Sequence, residues 1–86
     1  MDEPRCRFAC PCCHNFTLKK RGGFEICPVC FWEDDGQDEH DVEIVRGGPN
    51  GRLSLERARQ NYVKIGACDE RSLGIVRPPL PEEKAG

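Results

Sequence analysis

The sequence predicts a small α+β domain: a cysteine-bearing β-hairpin packed on one amphipathic helix, followed by a Pro-rich extended C-terminal tail. Three observations predict it. Two C-x-x-C pairs, Cys10-Pro11-Cys12-Cys13 and Cys27-Pro28-Val29-Cys30, stand thirteen residues apart. The segment between them alternates apolar and polar residues around a Gly-Gly turn, which is the period of a half-buried strand. Downstream, residues 55–65 carry apolar side chains at helical spacing.

The chain has 86 residues, 37% hydrophobic and 33% charged, enough for one domain with a limited core. Domains of this size draw cohesion from a metal or from disulfides. Seven cysteines meet that need, and their odd number argues against a closed disulfide framework. The lead-in Met1-Asp2-Glu3-Pro4-Arg5-Cys6-Arg7 has no apolar region of a secretory signal, and no apolar run approaches the roughly 20 residues of a membrane span. The expectation is a cytoplasmic protein without membrane contact, in a reducing compartment where paired cysteines serve metals more often than disulfides.

Taken in order, residues 1–9 are a lead-in in which Phe8 packs on the first cysteine loop. Asn15-Phe16-Thr17-Leu18-Lys19-Lys20 reads as a strand with Phe16 and Leu18 on one face. Arg21-Gly22-Gly23 is a turn, because glycine takes positive φ without cost. Phe24-Glu25-Ile26 returns as the second strand and carries Cys27 back toward Cys13. Phe31 and Trp32 cap the second loop and seed the core. From Glu33 to Glu43 there are seven carboxylates and no Lys or Arg, a solvated acidic loop. It fails the calcium-loop pattern, and His40 reads as a surface residue. Val42, Ile44 and Val45 suggest a short third strand. Arg46-Gly47-Gly48-Pro49-Asn50-Gly51 is a structural turn, without the Lys-Ser/Thr of a phosphate loop. Ser54 is an N-cap for a helix over residues 55–65, with Leu55, Ala58, Tyr62 and Ile65 on its apolar stripe and Gly66 as its stop. Glu56, Arg57, Gln60, Asn61 and Lys64 point outward. Asp69 caps a further turn. Pro78-Pro79-Leu80-Pro81 cannot continue a helix. A single domain over residues 1–81 with a disordered tail over 82–86 follows.

Cys10, Cys13, Cys27 and Cys30 form the four-ligand set. Proline at the second position of each pair holds the loop in one conformation. Four thiolates in a tetrahedron suit Zn(II), and a closed shell of sulfur leaves no place for water or substrate, so the metal would be structural. Iron uses the same ligand count in rubredoxin-like centres. His14 is an alternative fourth ligand. Cys12 points away from the metal if Cys13 is bound, and Cys6 and Cys68 read as small buried hydrophobes. Ribbon knuckles commonly place glycine after their second cysteine. His14 and Phe31 stand there instead, and Phe31 tolerates positive φ less well, so the second loop is expected to differ in shape. A disulfide-exchange reading needs a C-x-x-C pair opening a helix, and neither pair does.

These residues resemble the bacterial cysteine-rich CPCC family. Cys10-Pro11-Cys12-Cys13 matches the motif that names it, and the likeness continues through residues 21–36, at Arg46-Gly47-Gly48-Pro49-Asn50-Gly51, at Ser54-Leu55 and the helix, and at Gly66-Ala67-Cys68-Asp69-Glu70. The resemblance covers residues 10 to 79 and implies a small zinc-ribbon-like domain with metal on the two C-P-x-C loops. It also draws Trp32-Glu33-Asp34-Asp35 and Asn50 together, either as a polar pocket or as carboxylates that cap amides and pair with Arg46 or Arg71.

With no catalytic set in view, the reading is a zinc-binding, non-enzymatic protein-interaction module. A nucleic-acid-binding zinc ribbon using Arg5, Arg7, Lys19, Lys20 and Arg21 is the first alternative. A thiol-redox enzyme using the C-x-x-C motifs or Cys12 is the second.

Overall fold

The computed structural model describes residues 8–84. Strand β1 (Phe8–Ala9) pairs antiparallel with strand β2 (Phe16–Leu18), and helix α1 spans Leu55–Ile65. Short 3-10 turns occupy Glu39–Asp41, Glu70–Ser72 and Pro81–Glu83. No helix among the described residues is long and apolar enough to cross a membrane.

The pairing differs from the expected hairpin. β2 does not pair with residues 24–26 across the Gly-Gly turn. It pairs with β1, across the first cysteine loop. Residues 24–27 pair instead with 32–34 across the second loop: Phe24 N donates to Asp34 O at 2.9 Å, Asp34 N to Glu25 O at 2.9 Å, and Cys27 N to Trp32 O at 2.9 Å. Each cysteine loop therefore closes its own miniature hairpin. The physical reason is local: the first loop closes on its own bonds, Cys10 N to Asn15 O and His14 N to Cys10 O, both at 2.8 Å, while Phe24 stands at φ 61°, outside the extended region a strand beside Leu18 would need. The Arg21–Gly23 turn survives, with Gly22 at φ 70°.

β1 and β2 are out of simple register. Phe8 stands opposite Leu18 and Ala9 opposite Phe16, so Thr17 is an extra residue in β2, a β-bulge. The bulge breaks the expected alternation: Leu18 is fully buried, Thr17 is buried, and Phe16 is exposed.

α1 has the predicted bounds and caps. Ser54 Oγ accepts from Arg57 N at 3.1 Å. Gly66 ends the helix at φ 81° and donates its N–H to Tyr62 O. Leu55 and Ala58 are fully buried and Tyr62 is half-buried, but Ile65 is exposed. Asn61, expected to face outward, donates to Cys68 O at 2.8 Å and holds the chain that leaves the helix.

The expected third strand over residues 42–45 is absent. The segment follows a 3-10 turn whose Asp38 cap and Asp41 side chain bond each other's backbone. Val42 O accepts from Glu56 N at 2.8 Å, satisfying an otherwise orphaned donor of α1. Ile44 and Val45 are exposed.

The core joins Cys10, Cys12, Leu18, Cys27, Val29, Cys30, Trp32, Leu55, Ala58 and Cys68. Five of these ten are cysteines, so sulfur and not aliphatic carbon fills much of the interior. The C-terminal segment folds back on it. Arg77 N donates to Pro28 O, the Arg77 guanidinium grips both Glu83 oxygens at 2.9 and 2.8 Å, and the Pro81–Glu83 turn packs on β2. The tail expected to begin at residue 82 thus starts inside a turn. Residues 85 and 86 lie outside the described residues, as do Arg5, Cys6 and Arg7.

Candidate metal centre

Both cysteine loops carry the same backbone. In the first, Cys10 N donates to Asn15 O at 2.8 Å and His14 N to Cys10 O at 2.8 Å. In the second, Cys27 N donates to Trp32 O at 2.9 Å and Phe31 N to Cys27 O at 2.7 Å. His14 sits at φ 68° and Phe31 at φ 73°. The expected difference in shape is not found. Phe31 takes the left-handed conformation that the loop demands, at a cost of about 1–2 kcal/mol for a non-glycine residue.

The two loops bring Cys10, Cys13, Cys27 and Cys30 together, with all four sulfurs within 4.8 Å of one another. Cys10 Sγ and Cys30 Sγ are 3.6 Å apart, and Cys13 Sγ and Cys27 Sγ are 3.7 Å apart. A regular tetrahedron with metal–sulfur bonds of about 2.3 Å has edges of about 3.8 Å. Two of the six sulfur–sulfur edges thus stand near the spacing a tetrahedral ion requires, and the others lie within 4.8 Å. Among the described residues this is the one group of three or more such side chains that could hold a metal ion.

The set is electrostatically frustrated without a cation. Hydrogen bonds from its neighbours, Cys10 foremost, hold the Cys27 thiol far below its usual range, and the bond to Cys10 also lowers Cys13. The Cys10 thiol is raised, chiefly by its contact with Cys13, and Cys30 chiefly by its contact with Cys10. A divalent cation bound to four thiolates takes the place of thiol protons, so binding releases protons.

The surroundings assign the remaining thiols. Cys12 is buried outside the four-sulfur group, and its N–H points at Cys10 Sγ at 3.4 Å. Cys68 is buried, with its N–H on Cys30 O, and burial pushes its thiol up to about 12. It is a packing residue, as its sequence setting suggests. His14 is exposed and outside the group. Cys13 is the half-buried member of the four, while the other three are fully buried.

Three features were not legible in the sequence. The hydroxyl of Thr17 donates to Cys27 Sγ at 3.1 Å. Asn50 clamps the backbone of Glu33 like an added strand, its Oδ1 accepting from Glu33 N at 3.0 Å and its Nδ2 donating to Glu33 O at 2.8 Å. The third is a buried hub in the acidic segment. Asp34 is fully buried and accepts from Arg21 Nε at 3.0 Å, Gly22 N at 2.6 Å and Gly36 N at 3.1 Å. Arg21 also reaches Asp38 Oδ2 at 2.9 Å and Gln37 O at 2.9 Å. Gln37, fully buried, donates to Asp41 O and Ile44 O. The acidic segment is thus not a wholly solvated loop. Asp34 caps amides, as one reading expected, but its cation is Arg21; Arg46 goes to Asp41 and Arg71 to Asp69.

A cleft of about 430 Å³ lies where the Gly-rich turn meets the second loop, between Glu33, Asn50, Phe31 and Arg71. It is the nearest counterpart of the expected polar pocket, and no cluster of metal ligands lines it.

Paired hairpins that present four convergent thiols define a small cysteine-knuckle domain with a candidate metal centre. The chain belongs to the cysteine-rich CPCC family, whose family model matches residues 8–83. No curated protein and no solved structure matches the chain.

Proposed function

We propose that this is a small zinc-binding protein in which the ion is structural. It joins the two cysteine loops, and the domain so formed serves as a protein-interaction module of the cytoplasm, not an enzyme. The observation that carries this reading is the sulfur geometry: edges of 3.6 and 3.7 Å in a four-thiol set. Zinc bound by Cys10, Cys13, Cys27 and Cys30 supplies a rigid crosslink and no chemistry at substrate, because a four-thiolate shell has no open position. The protein partner is favoured over nucleic acid by what happens to the cations. Arg21, the third cation of the Lys19-Lys20-Arg21 run, spends its guanidinium on Asp34, Asp38 and Gln37. Among the described residues a phosphate backbone would find Lys19 and Lys20 exposed, while the Arg21 guanidinium beside them is already paired.

Metal analysis of the purified chain tests the centre. A single zinc ion per chain is expected, colourless, and lost in a Cys13→Ser/Cys27→Ser double variant. A red protein with bound iron replaces zinc in the reading. A chain that binds neither metal, or one that retains its ion in the double variant, overturns it. A shift assay with short RNA and DNA at low salt tests the partner class, and binding that weakens steeply with added salt would favour the nucleic-acid reading.

A further inference from the structure

We propose that Thr17 is a positioning residue of the metal centre: its hydroxyl donates to the Cys27 thiolate and sets the donor strength of that one sulfur. The inference rests on the metal reading above and adds to it an asymmetry within the four ligands.

Three observations converge on Thr17. The Oγ1–Sγ distance is 3.1 Å, and both residues are buried, so water does not compete for the thiolate. The bulge in β2 is centred on this residue, since Ala9 faces Phe16 and Phe8 faces Leu18. Bulges re-aim a side chain out of the regular alternation. Here the re-aimed group lies against the metal centre. Finally, the Thr17 N–H leaves the ladder and bonds to Asn15 O at 2.9 Å, so the local backbone is committed to this geometry.

The chemistry follows from the sulfur's charge. A thiolate ligand donates electron density to its metal, and an O–H donor pointing at the sulfur withdraws part of it. Groups that hydrogen-bond metal ligands orient them and tune the metal, and their loss typically costs 10–100-fold in affinity. Among the described residues the first loop has no equivalent: from outside the four thiols Cys10 Sγ accepts from a backbone N–H, and Cys13 is half-buried. Among the described residues Cys27 is therefore the sulfur of the four that accepts from a hydroxyl. Threonine suits the task because its β-branched side chain is stiff and matches a strand.

The full chain loaded with Co(II) tests the proposal through its sulfur-to-cobalt charge-transfer bands and through competition with a chelator. Thr17→Val keeps the shape and removes the hydroxyl; Thr17→Ser keeps the hydroxyl and removes the methyl. The expected result is a shift of the bands to lower energy and roughly a 10-fold loss of affinity in Thr17→Val, with both restored in Thr17→Ser. If Thr17→Val fails to take up cobalt while Thr17→Ser binds like the parent, the hydroxyl is assigned all the same. Unchanged bands in Thr17→Val, or a Thr17→Ser variant that is the weaker of the two, overturn the proposal and leave Thr17 a packing residue. A parent chain with no thiolate–cobalt band overturns the metal reading itself, an outcome distinct from the other two.

Discussion

In the first cysteine loop the residue after the second cysteine, His14, stands exposed at φ 68°. In the second loop Phe31 holds the same conformation at φ 73°, half-buried against the core. The next residue is buried in both loops but differs in kind: Asn15 Nδ2 donates to Tyr62 Oη at 3.3 Å, while Trp32 joins the apolar core. The first loop is held by α1, with Arg59 Nε on Pro11 O and Tyr62 at its edge. The second is braced by the Asp34 hub, the Asn50 clamp and the returning tail. Both loops bury most of their residues, and the contrast lies at the left-handed position. The loop's hydrogen bonds dictate its shape, and the residue at that position is left to serve solvent in one case and the core in the other.

The most severe way to break the comparison is to take away what the loops share. Apparent binding energies of structural zinc reach about 10–16 kcal/mol, more than a domain of this size has to spare. Chelation is expected to release both loops together and to abolish the near-ultraviolet circular dichroism of Trp32. A Trp32 signal that persists after complete chelation would show that the second loop stands on its packing alone, and that the two differ in more than their surroundings.

The next largest effect is expected on the second loop's side. Asp34→Ala removes the buried carboxylate and leaves the Gly22 and Gly36 amides without their acceptor, while Arg21 keeps Asp38 and the Gln37 carbonyl, a loss of about 1.5–3 kcal/mol. Denaturant titration of the metal-loaded protein measures it. A loss below about 1 kcal/mol would mean that water relieves the amides and that the hub does not brace the loop.

What could be read in the sequence, and what could not, follows the same division. The four clustered thiols were legible because C-x-x-C spacing is a local property, and α1 was legible down to Ser54 and Gly66 because caps are local too. The pairing of strands was not. Alternation at Phe16 and Leu18 says that a strand exists but not which segment it meets, and the bulge at Thr17 leaves no local trace. Asp34 read as one of seven solvated carboxylates because its burial depends on Arg21, thirteen residues away. Asn50 was noted for its turn, yet its work as a clamp depends on Glu33, seventeen residues distant.

Glycine substitutions sharpen the comparison at smaller scale. Both His14 and Phe31 bear the left-handed strain, so glycine relieves it at either site. At His14 the side chain is exposed and little packing is lost, and His14→Gly is expected to raise stability by about 0.5–1 kcal/mol after the added freedom of the unfolded chain is subtracted. At Phe31 the same relief is outweighed by lost aromatic burial, and Phe31→Gly is expected to destabilise by about 1–2 kcal/mol. Thermal or denaturant midpoints of the loaded variants decide the signs. Equal effects at the two positions would erase the distinction between an exposed left-handed residue and an embedded one.

The smallest expected effect concerns the tail, which packs on β2 and bonds the second loop at Pro28. The Glu83 carboxylate is held below its usual range, chiefly by its hydrogen bonds to Arg77, whose N–H in turn bonds Pro28 O. A depressed carboxylate pKa contributes stability that is fully present above the unfolded-state value, about 4.3 for Glu. That contribution fades as pH falls from there through the lower folded-state value. Arg77 is partly exposed, so solvent limits the pair to about 1 kcal/mol at neutral pH. Glu83→Gln is therefore expected to be less stable than the parent by that amount at pH 7, and the gap should close as both are acidified under saturating metal. Denaturation midpoints at matched pH values measure the gap. One that stays constant through the carboxylate range would assign the loss to the amide's packing, and the tail's hold on the second loop would then owe nothing to the charge on Glu83.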